Sequence, residues 1–323
     1  MLQDNFGRRF EYLRLSVTDV CNFKCNYCLP DGYDCNSDRD FMSFDEIKTL
    51  VSAFALLGMK KIRITGGEPG LRKDLVDIIR MCRQTPGIEQ VGLTTNGFNL
   101  ERNIEKWRDA GLTNLNVSLD SLDPRMFHAI TGHEKFESIM RGIDKAVALG
   151  IKSVKLNAVL LKTFNRDQLG TYLNWIADKS ITVRFIELME TGDNQQFFKE
   201  NHVSGQEIQQ HLEANGWQAI ERGTLAGPAK EYRHPNSQGK IGLIMPYSKD
   251  FCKSCNRLRV SATGKLHLCL FAEQGIDLRQ GLSEGNIGQT CSALTQAMQS
   301  KVASHELQQH LTGSTKHLAM LGG

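Results

Sequence analysis

The 323-residue sequence lacks long apolar runs: no stretch approaches the roughly 18 apolar residues that a membrane-spanning helix requires. Its first 15 residues lack the apolar centre of a secretion signal. Neither sign of charge is in excess, since 39 basic and 36 acidic residues leave a net charge of +3. These absences predict a cytoplasmic protein and disfavour a general nucleic-acid-binding or membrane-binding surface, while a local basic pocket for an anion stays open.

Cysteine is present nine times, and six of the nine lie in two tight groups at 21–28 and 252–269. Without a secretion signal, disulfides are disfavoured and metal binding is the better interpretation of such groups. The scattered Cys35, Cys82 and Cys291 are interpreted as structural.

Short β-rich runs alternate with helical patterns as far as residue 215. The predicted strands are 12–17, 61–65, 90–94, 114–119, 154–160 and 182–188, and the predicted helices lie near 43–57, 72–84, 101–110, 137–149, 166–179 and 204–215. Ser43 with Glu46, and Ser204 with Glu207, have the spacing of capping boxes. Six β–α units in series predict a parallel sheet with right-handed crossovers, either a closed barrel or an open sheet.

Unusual residues follow several of these strands. Cys21 comes after the first strand, residues 66–69 after the second, residues 94–96 after the third, and Ser118 and Asp120 lie at the fourth. The carboxyl ends of parallel strands share one edge, and that edge carries the chemistry in α/β folds.

The character of the sequence changes after residue 216. Gly, Pro, Asn and Ser cluster between 223 and 239, and short alternating runs follow at 241–245, 257–261 and 265–270. This pattern predicts a smaller antiparallel module.

The first cysteine group, Cys21, Cys25 and Cys28, has the spacing C-x₃-C-x₂-C. Three thiolates on one loop leave the fourth iron of a cubane cluster open, because such clusters normally take four. Zinc is the competing metal, but structural zinc sites need four ligands and no histidine lies near this loop.

With the aromatic Tyr27 before its last cysteine, this group resembles that of the radical S-adenosylmethionine superfamily, whose open iron binds the methionine moiety. Residues 66–69, Gly-Gly-Glu-Pro, resemble the superfamily's GGEP motif. The resemblance implies that Glu68 or neighbouring carbonyls accept from the cofactor's amino group. It also implies cofactor contacts at Tyr27, Gly67, Ser118 and Met189.

The second cysteine group is Cys252, Cys255 and Cys269. Taken alone, it favours a structural zinc site with His267 as the fourth ligand. However, Arg257 and Arg259 are one strand period apart and are predicted to share a face, which suits a phosphate-rich ligand.

Nearly the whole length of the chain resembles the GTP 3′,8-cyclases, radical enzymes of molybdenum cofactor biosynthesis. The similar stretches are 12–21, 63–69, 94–97, 116–120, 184–189 and 250–259, together with the terminal Gly322-Gly323. Peptide-modifying radical enzymes, a second hypothesis, carry more C-terminal cysteines than the three found here. A non-catalytic zinc or electron-carrying protein is a third, but it gives the GGEP motif no role.

This resemblance implies two [4Fe–4S] clusters, the first on Cys21, Cys25 and Cys28 and the second on Cys252, Cys255 and Cys269. It implies GTP contacts at Arg14, Arg63, Thr94, Lys155, Arg257, Leu258 and Arg259, and catalytic roles for Arg257, Arg259, Gly322 and Gly323. The implied reaction begins when a 5′-deoxyadenosyl radical removes the ribose 3′ hydrogen of GTP, after which C3′ attacks guanine C8.

The fold expected from the resemblance is α/β: an incomplete (βα)6 TIM-type barrel of the radical SAM type with a smaller C-terminal module containing antiparallel strands. The radical core is expected at 5–222, and the GTP and second-cluster module with its Gly-Gly tail at 223–323. The implied partners are an external one-electron reductant, cyclic pyranopterin monophosphate synthase as the next enzyme, and a second copy of the chain in a homodimer.

Overall fold

The six predicted β–α units are present in the computed structural model, which describes residues 1–33, 40–313, 319 and 321. The strands are β1 Tyr12–Ser16, β2 Lys61–Thr65, β3 Gln90–Thr95, β4 Asn114–Ser118, β5 Ser153–Leu160 and β6 Thr182–Glu187. The helices are α1 Phe44–Leu56, α2 Leu75–Gln84, α3 Leu100–Asp109, α4 Pro124–Thr131, α5 Phe136–Ala148, α6 Leu169–Ile176, α7 Gln195–Asn201 and α8 Gly205–Ala214. The predicted strand boundaries agree with these to within a residue, and α4 and α7 are additions. Cys35, Gly322 and Gly323 lie outside the described residues.

One of the two predicted capping boxes is confirmed. The Ser43 hydroxyl accepts from the Glu46 N–H, and the Glu46 carboxylate accepts from the Ser43 N–H at 2.8 Å. The second box is wrong, because the Ser204 hydroxyl accepts from the Gln206 N–H, and the carboxylate at this helix start is that of Glu187 at the end of β6. Its carboxylate accepts the first N–H of α8 at 2.6 Å and the Ser204 hydroxyl at 3.2 Å.

Helix α4 positions the first cysteine loop. It begins after Asp123, whose carboxylate accepts two backbone N–H groups of its first turn at 2.8 and 3.1 Å. At its other end, the carbonyls of Ile130 and Thr131 accept from the backbone N–H groups of Asn26 and Lys24. A helix that the sequence did not indicate therefore fixes the path of the loop.

The six strands pair in parallel and in chain order, as predicted. Successive side chains point to opposite faces of the sheet. In β1, Leu13 and Leu15 pack in the apolar core beneath the helices, whereas Arg14 lines a cavity on the other face. The sheet thus separates an apolar layer from a polar interior.

The C-terminal strands extend the same sheet. They are β7 Gln218–Ala219, β8 Lys230–Arg233, β9 Lys240–Ile244, β10 Arg257–Val260, β11 Lys265–His267 and β12 Ile276–Asp277, followed by α9 Arg279–Ser283 and α10 Ile287–Ala297. The expectation of an antiparallel module is right for β7–β8–β9 and for β10–β11–β12. It is wrong for the joins to the core, because β9 pairs in parallel with β6 and β10 in parallel with β1.

The hydrogen-bonded order of the described strands runs from β12 at one end to β7 at the other. The C-terminal residues are thereby divided between the two edges of the six-stranded core. Within the described part of the chain, no helix has the length and apolar character needed to cross a membrane.

Candidate functional site

The first cysteine group lies on the loop that leaves the carboxyl end of β1. The N–H groups of Cys28 and Leu29 both donate to the Cys25 carbonyl at 3.0 Å, which forms a tight turn. Burial raises the pKa of the Cys21 thiol. Burial, reinforced by the nearby carboxylate of Asp120, raises that of Cys25 well above its usual value. The surroundings of this loop therefore disfavour added negative charge.

The GGEP turn packs against the segment that leads into this loop. A Cβ on Gly66 would lie 2.0 Å from the Thr18 carbonyl oxygen, and one on Gly67 would lie 2.3 Å from that of Val20. The Gly67 N–H donates to the Thr18 carbonyl at 2.9 Å. Glycine is required here because the chain approaches its own backbone.

The Glu68 carboxylate is committed to internal hydrogen bonds. It accepts from the Gly70 N–H at 2.7 Å, the Thr95 hydroxyl at 2.8 Å and the Asn96 N–H at 2.6 Å. Burial outweighs these bonds and raises its pKa to about 6. Glu68 therefore ties the end of β2 to the end of β3, and its Oε2, which accepts only from Asn96, keeps acceptor capacity for an ammonium group.

Tyr27 is fixed by Asp120. Its hydroxyl donates to Asp120 at 2.9 Å, and the other oxygen of that carboxylate accepts from the Val159 N–H at 2.8 Å. Burial raises the pKa of Asp120 to about 6 and that of Tyr27 well above its usual value. Ser118, at the end of β4, lies opposite Asn157 of β5.

The second cysteine group has the opposite electrostatic character. Burial alone would raise the pKa of Cys252, but hydrogen bonds from His305 and Ser304 outweigh it and lower the pKa to about 6. The pKa of Cys255 is also lowered despite burial, with the Arg257 guanidinium as the largest lowering influence. Thiolate, the form that binds metal, is favoured here.

A cavity on the polar face of the sheet joins this group to a set of basic side chains. Its walls include Arg14, Arg184, Arg257, Arg259, Met189, Cys252, Cys255 and Cys269. Parallel register places Arg14 between Arg259 and Arg63 on the adjacent strands. Arg257 and Arg259 share the cavity face as predicted, while the Leu258 side chain lies in the apolar core.

Several polar atoms around this cavity have no partner. The Nε atoms of Arg184, Arg257 and Arg259 are buried without a hydrogen-bond acceptor in the described chain. Burial, followed by repulsion from Arg14 and Arg257, lowers the pKa of Arg259 to about 9. Buried cations with unused donors point to an anionic ligand that supplies acceptors.

Arg63, Lys155 and Thr94 lie outside the cavity wall. Arg63 donates to the Tyr12 hydroxyl at 2.7 Å, and Lys155 is ion-paired with Glu231. Thr94 has a buried hydroxyl without a partner among the described residues. These three predicted contacts remain predictions.

Among the wall residues that the sequence analysis did not assign to the site are Tyr12, Asn116, Asn157 and Arg184. Strand alternation could have found Arg184, which faces the same way as the other arginines. The pKa of Tyr12, which burial alone would raise, is lowered to about 6 by Arg63, Arg14 and Lys61.

Both cysteine groups suit an iron–sulfur cluster by their donor atoms, since each offers three thiols. The first three lie on the loop after β1, whereas Cys252 and Cys255 precede β10 and Cys269 follows β11. His267, the candidate fourth zinc ligand, is not part of the cavity wall; its Nδ1 is buried without a partner in the described chain. No group of three or more His, Cys, Asp or Glu side chains in the described ranges converges closely enough to hold a single metal ion.

Two family models match the chain. Residues 15–176 match the Radical SAM superfamily, and residues 181–307 match Molybdenum Cofactor Synthesis C. The crystal structure of Streptococcus suis SuiB bound to S-adenosylmethionine is similar in fold, with a TM-score of 0.65 and 13% identity. The similarity covers 86% of this chain and 65% of that one.

Curated relatives are similar over the full length. A GTP 3′,8-cyclase of Vibrio atlanticus is 56% identical over 99% of this chain and 97% of its own. Those of Yersinia pestis and Shewanella denitrificans are 54% and 52% identical over 100% of this chain, and 99% and 96% of theirs. The chain therefore belongs to the GTP 3′,8-cyclase family of radical S-adenosylmethionine enzymes.

Proposed function

We propose that this chain cyclises GTP to (8S)-3′,8-cyclo-7,8-dihydroguanosine 5′-triphosphate, the first step of molybdenum cofactor biosynthesis. The observation that carries the proposal is the cavity in which unpartnered guanidinium groups adjoin the second cysteine group. A triphosphate supplies the charge and the acceptors that these donors lack, and charge-assisted hydrogen bonds are the strong ones.

The basic side chains would orient GTP. Arg14, Arg257 and Arg259 lie along one wall, and their register fixes them side by side. Arg63, Thr94 and Lys155 would extend this surface along β2, β3 and β5, whereas Leu258 can contribute only backbone atoms. Guanine would lie at Cys252, Cys255 and Cys269, which would hold the second [4Fe–4S] cluster.

The first cysteine group would hold the other cluster, with S-adenosylmethionine bound beside Tyr27, Gly67, Ser118 and Met189. When bound, these groups supply the 5′-deoxyadenosyl radical that removes the ribose 3′ hydrogen, after which C3′ joins guanine C8. The chain contributes position and exclusion of water: Met189 forms part of the cavity wall and packs against the apolar cluster that includes Leu270, beside Cys269.

Further parts of the proposal come from the family. We infer an incomplete TIM-type barrel within a radical core at 5–222, a C-terminal module at 223–323 and a homodimer. An external reductant would supply electrons, and cyclic pyranopterin monophosphate synthase would receive the product. The parallel pairing of β1 to β6 supports the barrel.

Anaerobic reconstitution tests the proposal. With dithionite, S-adenosylmethionine and GTP, we expect about eight irons per chain and formation of 5′-deoxyadenosine that depends on GTP. The variant with Cys252, Cys255 and Cys269 changed to Ala is the matched control, and it should keep about four irons and lose cyclisation. Zinc in both sites, or cofactor cleavage indifferent to GTP, would overturn the proposal.

The Gly-Gly tail is tested separately. Deletion of Gly322 and Gly323 should abolish most cyclisation while leaving the iron content unchanged. Full activity of the shortened chain would show that the tail has no catalytic role.

A further inference from the structure

Lys301 is a buried lysine next to the second cysteine group. It follows α10, and its residue is only 5% exposed. Its ammonium donates to the carbonyl of Leu268, the residue before Cys269, and lies 5.1 Å from the centre of the buried Phe10 ring. Both partners are neutral, so neither compensates the charge.

No carboxylate of the described residues forms an ion pair with this ammonium. Arg8 differs in this respect: this half-buried cation donates to the Cys252 carbonyl at 3.0 Å and is paired with Asp4 at 2.6 Å. Burying an ammonium without a counter-charge costs free energy, and a lysine in such a place tends to lose its proton. To keep its charge, Lys301 therefore needs a source of negative charge other than the carboxylates of the described residues.

The thiols of Cys255 and Cys269 are within electrostatic reach of Lys301. When three thiolates ligate an iron–sulfur core, they carry more negative charge than the oxidised core carries positive charge. A cluster on the second cysteine group would thus be anionic, and each reduction would make it more so.

We propose that Lys301 is the counter-charge of the second cluster, a positioning residue that also fixes Cys269 through the Leu268 carbonyl. The inference rests on the proposed second cluster. The positive charge of Lys301 would stabilise the reduced state of that cluster and slow the loss of its iron.

The test uses the full chain with Cys21, Cys25 and Cys28 changed to Ala, so that only the second site binds iron. In this background Lys301→Met is compared with Lys301→Arg, which keeps the charge, and with Lys60→Met, which removes a lysine whose side chain is 43% exposed. The midpoint potential is measured by dithionite titration followed by electron paramagnetic resonance, and iron loss is timed with a chelator.

We expect Lys301→Met to shift the midpoint potential to a lower value and to speed iron loss about tenfold, whereas Lys301→Arg and Lys60→Met change neither. A second measurement separates charge from packing. In the cluster-free chain, Lys301→Met should unfold at the same or a higher urea concentration, because it removes an uncompensated buried charge. A purely structural lysine would instead destabilise the cluster-free chain when replaced.

Two results would overturn the inference in distinguishable ways. If the triple-alanine background holds no four-iron cluster, the proposed second cluster fails, and the role of Lys301 fails with it. If the cluster forms but its potential and retention are the same in Lys301→Met, only the role of Lys301 is wrong.

Discussion

The two cysteine groups contain the same number of thiols but lie in opposite electrostatic surroundings. Around the first, the carboxylates of Asp120 and Glu68 add to burial, and the pKa values of Cys21 and Cys25 are raised. Around the second, Arg257 and Lys301 act against burial, and the pKa of Cys255 is lowered. Residue spacing alone does not reveal this difference.

The contrast suggests how one ligand type can serve two tasks. Negative surroundings disfavour the reduced form of a cluster, which makes that form a stronger electron donor, as cleavage of a sulfonium bond requires. Positive surroundings favour the binding of an anionic substrate. Four measurements can test this difference between the two cysteine groups and their surroundings.

The largest expected difference is in thiol titration. In the cluster-free chain, iodoacetamide should alkylate Cys252 with a midpoint near pH 6, while Cys25 should still be gaining reactivity above pH 9. Mass spectrometry of digests after alkylation at a series of pH values measures both. His305→Ala should move the Cys252 midpoint upward, and the buried Cys82 is an internal unreactive control. Coincident titration of the two groups would contradict the contrast.

The second-largest effect is expected from removing one cation of the cavity wall, Arg259. Arg259→Leu removes charge-assisted hydrogen bonds of about 1.5–3 kcal/mol each, so kcat/KM for GTP should fall about 10–100-fold. Iron content at the first group should not change. Arg125→Leu, which alters a side chain that is 95% exposed, is the control. Equal kinetics in the two variants would show that Arg259 does not contact the substrate.

The buried carboxylate of Glu68, near the first cysteine group, can be tested through the pH dependence of the free energy of unfolding. The pKa of Glu68 is about 6 in the folded chain against 4.5 in its ordinary state, so the folded chain holds this proton more tightly. Protonated Glu68 therefore adds about 2 kcal/mol to the free energy of unfolding. This contribution is fully present below pH 4.5 and is lost as the pH rises through 6.

Glu68→Gln cannot ionise and should therefore lose less stability than the parent between pH 4.5 and 7. Urea unfolding of the cluster-free chain at several pH values measures this difference. Glu105→Gln, at a carboxylate whose side chain is 55% exposed, should keep the parent's slope. Parallel slopes for all three chains would mean that Glu68 titrates normally.

The smallest expected effect concerns Gly92, whose missing side chain leaves room for the Arg63 guanidinium. Gly92 lies opposite Arg63, and a Cβ there would lie 2.9 Å from the guanidinium carbon. Gly92→Ala should displace this group and raise KM for GTP about threefold to tenfold, roughly the cost of one weakened charged contact, with little change in kcat. Gly170→Ala, where a Cβ would meet nothing within 4 Å, is the control. An unchanged KM would place Arg63 outside the substrate site.

Local patterns predicted much of this molecule. Strand alternation placed Arg257 and Arg259 on one face, and the hydrophobic runs gave the six parallel strands. Both features depend only on residues near one another in sequence. The two cysteine groups could be found in the same way, because their spacing is local.

The sequence did not indicate which strands pair at the edges of the core. Strands β9 and β10 have five and four residues, and nothing in such short runs indicates that they join β6 and β1 in parallel. Likewise, Glu68 finds its hydrogen bonds at Thr95 and Asn96 on the next strand unit. These contacts depend on the assembled sheet.

The division of the C-terminal strands between both edges of the core has a consequence for biogenesis. A nascent chain completes the first cysteine group at residue 28, but β10, the strand that pairs with β1, is not complete until residue 260. Until then the outer edge of β1 is unpaired, and the outer edge of β6 is unpaired until β9 is complete at residue 244. Such edges invite aggregation. The ribosome-bound chain therefore carries an open sheet edge beside the first cysteine group until β10 has been made.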